Sequence, residues 1–163
     1  MERSAMQSLI DWKNSPYRKP LILQGVRQVG KTWLLKEFGR RHYEKVAYFN
    51  FDEHPEYLQF FAETKDISRI LDTLQFITGF PITEGTTLII FDEIQEAPNA
   101  LNALKYFHEN GKGYHVATAG SLLGVTLAKP SSFPVGQVDF LKIHPMTLTE
   151  MLGAENEAGL LGY

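Results

Sequence analysis

No cysteine occurs among the 163 residues, which removes disulfides, thiolate zinc sites and cysteine nucleophiles together and agrees with a reducing compartment. No run approaches the ~20 consecutive apolar residues that span a bilayer, and the N-terminal MERSAMQSLIDWKNS lacks the apolar core of a signal peptide. A cytoplasmic protein with no membrane attachment is expected. Cations are not in excess either: net charge is −3 and the pI is near 5.9, so no global basic field draws the chain to nucleic acid, which stays unsupported as a partner without being excluded. Repeats, heptads and low-complexity tracts are missing as well. That leaves one globular domain, 44 % apolar and long enough to bury a sizeable core.

What stands out is Gly25-Val26-Arg27-Gln28-Val29-Gly30-Lys31-Thr32, which fits the phosphate-binding pattern G-x-x-x-x-G-K-[ST] without a mismatch. Its context fits too. Leu21-Ile22-Leu23 is a short apolar run suited to a buried strand, and Trp33, Leu34, Leu35 and Phe38 recur at helical spacing. Glycines let such a loop turn its N–H groups inward at the positive end of a helix dipole, where polyphosphate is favoured. The nucleotide contacts are expected from Gly25 through Thr32 and from the next amide, Trp33. Lys31 would reach the β- and γ-phosphates, and Thr32 would offer its hydroxyl to Mg²⁺, a hard cation that takes oxygen ligands.

Read in order, the chain alternates helices and strands. Ala5, Met6, Leu9 and Ile10 share a helical face that ends at Asn14-Ser15-Pro16, and a basic connector, Tyr17-Arg18-Lys19-Pro20, leads into the first strand. Trp12 and Arg18 could lie near a bound base, or simply belong to a helix covering the sheet edge with solvated charge beside it. The glycine-loop helix should end around Gly39, with Arg40, Arg41 and His42 as cations at its negative end rather than a nucleic-acid patch. Val46 to Phe51 reads as a second strand, followed by a short helix over 56–64 and a better one capped by Asp66 and stopped by Gly79 and Pro81. Asp52, Glu53 and His54 read as a solvated strand end, because no second cluster at ligand spacing would complete a metal site. Thr87 to Phe91 is continuously apolar, as a central parallel strand should be. A helix from Pro98 to Gly111, a strand over 114–119, a weaker helix over 121–129, an exposed loop over 130–137, a fifth strand over 138–143 and a helix from Thr147 complete the series. Alternation of this kind implies an α/β fold with a mostly parallel sheet, helices on both faces and ligand at the carboxyl ends of the strands.

Chemistry is expected at those ends. Asp92 and Glu93 follow the apolar strand: Asp92 would hold Mg²⁺, directly or through water, and Glu93 would orient and polarise an attacking water, since phosphoryl transfer asks mainly for positioning and charge stabilisation. Ser121, after the next strand, is either a sensor of the γ-phosphate or an N-cap for Leu122 onward, and both can hold. Gln95 could touch the same water or make a loop hydrogen bond.

Four segments taken together, GVRQVGKT, LIIFDEIQEAPN, TAGSLLG and PVGQVDFLKIHPMTLTEML, resemble the bacterial and archaeal AAA-type ATPases that are usually followed by a C-terminal domain of unknown function. The resemblance runs from about Trp12 to Leu152. It implies a P-loop NTPase three-layer sandwich of the additional-strand, catalytic-glutamate group, with sheet order 5-1-4-3-2. It also implies a division into an ATPase domain over 1–152 and a tail over 153–163 that would begin a missing C-terminal region. Gly30, Lys31 and Thr32 then stand as Walker A, Asp92 and Glu93 as Walker B, and Ser121 as the sensor-like position. Gln137 departs from the Lys or Arg that family members often carry in the PVG-x-V loop, so a charge role there is in doubt. An arginine for the γ-phosphate would have to come from the C-terminal region, from a partner or from a neighbouring copy in a homo-oligomer. The expected function is Mg²⁺-dependent ATP hydrolysis, slow in isolation. ATP is preferred to GTP because the chain lacks an N-K-x-D base-reading motif. The alternatives are a nucleotide-dependent switch with negligible hydrolysis and a DNA-handling ATPase.

Overall fold

The computed structural model describes residues 4–25, 30–120 and 135–143. Val26 to Val29, Ser121, the helix expected over 121–129, the loop over 130–134, the helix from Thr147 and the tail over 153–163 lie outside the described residues.

Five strands form one sheet: β1 (Leu21–Gln24), β2 (Lys45–Asn50), β3 (Thr87–Asp92), β4 (His115–Ala119) and β5 (Asp139–Lys142). All four pairings are parallel, in the order β2-β3-β4-β1-β5. This is the expected order, 5-1-4-3-2, read from the other edge.

Strand alternation divides the core in two. Leu21, Leu23, Leu88, Ile90, Ala117 and Ala119 face one side, where α1 (Ser4–Asn14) and α2 (Lys31–His42) cover them. Ile22, Ala47, Phe49, Ile89, Phe91 and Val116 face the other, under α3 (Leu58–Ala62), α4 (Ile67–Thr78) and α5 (Pro98–Asn110). On that second face Phe91 meets Phe49, Phe51, Phe61 and Phe107 at ring-centroid distances of 5.9, 5.6, 5.5 and 6.3 Å. Aromatic packing this dense makes truncation at Phe91 cost about 3–5 kcal/mol.

Local chemistry sets the helix ends. Asp66 accepts a hydrogen bond from the Ser68 amide at 3.0 Å to start α4, and Gly79, at φ 80°, closes it in the left-handed conformation. Pro98 opens α5, where its missing N–H costs nothing.

One expectation needs correcting. The helix after the glycine loop does not end near Gly39 but runs on to His42. Gly39 is there because α2 presses so close to the sheet that a Cβ would sit 2.5 Å from Val46 Cγ2 and 3.1 Å from Leu88 Cδ2. Arg40 and Arg41 do fall in the last turn, and both bond to Glu37 at the surface.

Candidate functional site

In a sheet whose strands all run one way, the carboxyl ends share one rim. Pairing brings Leu23, Ala119, Asp92 and Asn50 into a single row across it. The chain leaves β1 through Gly25, and α2 begins after Gly30, which adopts φ 77°, ψ 28°, a left-handed conformation that suits glycine. Leu34 is the first residue whose amide bonds inside the helix, to Gly30 O at 2.9 Å. The amides of Lys31, Thr32 and Trp33 therefore precede the helix's own bonding and lie at its positive end.

Lys31 is buried, 7 % exposed, and its Nζ donates to Gly25 O at 2.9 Å, closing the loop on itself. Burial lowers the ammonium's pKa below its ordinary value, and the carboxylates of Glu93 and Asp92 draw it part of the way back. Thr32 Oγ1 donates to Asp92 Oδ2 at 2.6 Å, across 60 positions of sequence. The strand between β1 and β3 is β4, and at the matched position it carries Ala119, a single methyl, so Asp92 reaches α2 unobstructed. Tyr48, on β2, donates to the same Oδ2 at 2.5 Å, and its phenol is pushed well above its usual pKa by burial and by that bond. Asp92 Oδ1 accepts the Glu93 amide at 2.9 Å.

Glu93 stands in the left-handed region, φ 54°, alone in this among the non-glycine described residues. Such a conformation costs of order 1 kcal/mol and is found at functional turns. Its carboxylate accepts from Gln95 Nε2 at 2.8 Å. Gln95 therefore makes the loop hydrogen bond that was one of its two expected roles.

Thr32, Lys31, Asp92 and Glu93 are thus brought together, and Gly25 and Gly30 flank them. Ser121 and Val26 to Val29 lie outside the described residues. Tyr48 is the residue that sequence reasoning missed. It looks like any strand aromatic, and only its register opposite the end of β3 signals more.

Other candidates fall elsewhere. Trp12 is a core residue whose indole donates to Lys19 O at 2.7 Å. Arg18 donates to the carbonyls of Lys13 and Lys112 at 3.0 and 3.2 Å. Both residues sit at the amino ends of the strands, opposite Asp92, so neither lies beside Lys31 and Thr32. Gln137 precedes β5 and is at that amino end too. Asn50 Oδ1 caps the amides of Asp52 and Glu53 at 2.9 and 3.0 Å, and His54 pairs with Glu56 at 3.0 Å, as a solvated strand end would.

A family model described as an AAA domain matches residues 17–152, most of the chain. The chain belongs to the AAA domain family. This is a nucleotide-binding family, and solved structures carry the same fold. A Walker-type ATPase of Pyrococcus abyssi superposes with a TM-score of 0.54 at 16 % identity, over 96 % of this chain and 58 % of that one. The ORC1 protein of Aeropyrum pernix, solved in complex with DNA, gives 0.53 at 14 % identity, over 96 % and 48 %. PCH-2 of C. elegans gives 0.50 at 15 % identity, over 87 % and 42 %. The AAA domain here spans about half the length of these structures. Among curated proteins none matches it. No helix among the described residues is long and apolar enough to cross a membrane.

Proposed function

We propose that this AAA domain, occupying residues 1–152, binds ATP with Mg²⁺ and hydrolyses it. The observation that carries the reading is the Thr32–Asp92 contact of 2.6 Å, which joins the first turn of α2 to the end of β3 beside a buried Lys31. Two hard oxygen donors at the positive end of a helix, with an ammonium next to them, fit a phosphate-bound divalent cation.

In this reading the amides from Gly25 to Trp33 cradle the polyphosphate, and Lys31 leaves Gly25 O to neutralise the β- and γ-phosphates. Thr32 and Asp92 hold Mg²⁺, which supplies charge neutralisation on the transferring group. Glu93 takes the role of orienting and polarising the attacking water, and Ser121 that of sensing the γ-phosphate. ATP is favoured over GTP for lack of a guanine-reading motif.

Charge on the γ-phosphate is best stabilised by an arginine. Arg18 is spent on carbonyls at the opposite end of the sheet, and Arg40 and Arg41 pair with Glu37. Arg69 stands exposed on α4, and Arg27 lies outside the described residues. In this reading the arginine is supplied by a C-terminal region or a neighbouring subunit, and turnover in isolation is slow, on the order of 10⁻² s⁻¹ or below. One observation also supports a switch-like reading: one oxygen of the Glu93 carboxylate accepts from Gln95 Nε2, a bond that competes with an attacking water.

Calorimetric titration with ATP and GTP, with Mg²⁺ and with chelator, tests binding. Phosphate release measured over a hundredfold range of protein concentration tests turnover. Mg²⁺-dependent ATP binding with slow turnover that rises with concentration is expected. No ATP binding would sink the reading, and fast release independent of concentration would sink the need for an outside arginine. A single turnover without a steady state would favour the switch.

A further inference from the structure

Asp92 is 4 % exposed and is the one buried carboxylate among the described residues. Its Oδ2 accepts two hydroxyl hydrogen bonds, from Thr32 at 2.6 Å and from Tyr48 at 2.5 Å, while Oδ1 takes the Glu93 amide at 2.9 Å. A carboxylate oxygen offers two lone-pair positions, so Oδ2 is full. For the oxygen to face a cation or a cation's water, one of the two hydroxyls must leave.

The two donors differ in how firmly they are held. Thr32 has a short side chain in the first turn of α2, at the edge of the phosphate loop, and its hydroxyl turns by one rotamer change. Tyr48 is gripped. The Lys36 ammonium, one helical turn after Thr32, lies 4.0 Å from its ring centroid. Asn50 Nδ2 donates to its oxygen at 3.2 Å, and Asn50 is itself fixed by the amides of Asp52 and Glu53. β2 is locked to β3 in register, Tyr48 against Ile90 and Asn50 against Asp92.

We propose that Tyr48 is a positioning residue for the divalent cation: its hydroxyl keeps one lone pair of Asp92 Oδ2 permanently, Thr32 yields the other, and Oδ2 is thereby limited to one further ligand and aimed at it. This rests on the reading of Thr32 and Asp92 as the cation's residues. A bland alternative is that the phenol merely satisfies itself on the nearest acceptor. That alternative gives no link between Tyr48 and metal.

The test is ADP affinity by calorimetry with Mg²⁺ and with chelator, in the full chain and in the variants Tyr48→Phe and Asp92→Asn. Tyr48→Phe keeps the ring and the Lys36 contact and removes the hydroxyl alone. It is expected to leave metal-free ADP affinity unchanged and to lower the gain that Mg²⁺ confers by roughly tenfold, as for other groups that orient a metal ligand. An unchanged gain, or an equal loss with and without metal, would overturn the proposal. Asp92→Asn separates the two levels: if it too keeps the full gain, the cation site itself has been misassigned. A second measurement needs no variant fold beyond a spectral assignment. The short Tyr48 bond places its hydroxyl proton far downfield in the NMR spectrum, absent in Tyr48→Phe, and it should persist when Mg²⁺ and ADP are added. Its loss on adding them would show that Tyr48, not Thr32, is the donor that yields.

Discussion

Two half-buried tyrosines mark the two ends of this sheet, and the hydroxyl of each meets a titratable partner. At the carboxyl end Tyr48 donates to Asp92 at 2.5 Å. At the amino end Tyr43 and His115 Nδ1 lie 2.6 Å apart. The distances match, yet the surroundings differ in kind. Asp92 gathers donors from α2, β2 and the residue after its own strand, beside a lysine folded back onto Gly25. His115 is walled in by Trp12 and Tyr43, whose rings meet it edge-on at 5.8 and 5.4 Å, and Lys13 lies 5.1 Å from the Tyr43 ring centroid. Burial, reinforced by Arg18 and Lys13, lowers the His115 pKa to about 4, so the imidazole is neutral at physiological pH. One end keeps Lys31 and Asp92 close together, and the other has had charge removed so that the protein can close over it.

The comparison can be broken by substitution. At the carboxyl end the largest effect is expected from Glu93→Gln, which keeps size and hydrogen bonding to Gln95 but loses the charge that would polarise water in the proposed reaction. ATP should bind as before while phosphate release falls roughly 10²-fold or more, and a rate within a factor of two of wild type would remove Glu93 from the chemistry. Lys31→Ala comes next. Losing a charge-assisted contact to phosphate should weaken nucleotide binding roughly 10- to 100-fold, with thermal melting in the absence of ligand hardly changed, because the variant also relieves a buried ammonium. Unchanged calorimetric affinity would place the phosphates elsewhere.

The smallest effect belongs to the amino end and appears only as a pH dependence of stability. A free histidine titrates near 6.5, while folded His115 does so near 4. Between these values the unfolded chain binds the extra proton and the folded chain does not, so stability is whole above about pH 6.5 and is lost as pH falls toward 4. The groups facing the ring, Arg18, Lys13 and Tyr43, offer no carboxylate to offset this. Melting temperatures followed from pH 7 to 4 should fall more steeply for wild type than for His115→Phe, with ATP affinity at pH 7 the same in both. Parallel melting curves would mean that the imidazole is protonated in the folded state.

These contrasts also show what the sequence could disclose. That Lys31, Thr32, Asp92 and Glu93 would come together at the carboxyl ends of the strands was legible because they stand in two runs of consecutive residues with their own signatures, and the continuous apolar run of β3 betrayed a strand covered on both sides. Tyr48 and the Tyr43–His115 pair were not legible. Each depends on register or on contacts across 44 or 72 positions, and an aromatic in a strand has the same local signature whatever its hydroxyl meets. The left-handed backbone at Glu93 was hidden for a related reason: nothing about glutamate announces a positive φ. Gly39 was misread because a glycine near a helix end has two meanings, a stop or a close approach, and only the neighbouring strands distinguish them.

That glycine has a consequence for how the molecule would look to mutation. It touches neither solvent nor the rim that carries Asp92, and a scan for loss of function would nonetheless score it beside Lys31. A single added methyl at position 39 meets Val46 Cγ2 at 2.5 Å, so either that side chain moves or a helix of 12 residues lifts off its bed like a rail off its sleepers. One end of that rail carries Lys31 and Thr32, and the other carries His42 and leads straight into Tyr43. Sensitivity at a silent interior glycine would then report on the alignment of both ends at once.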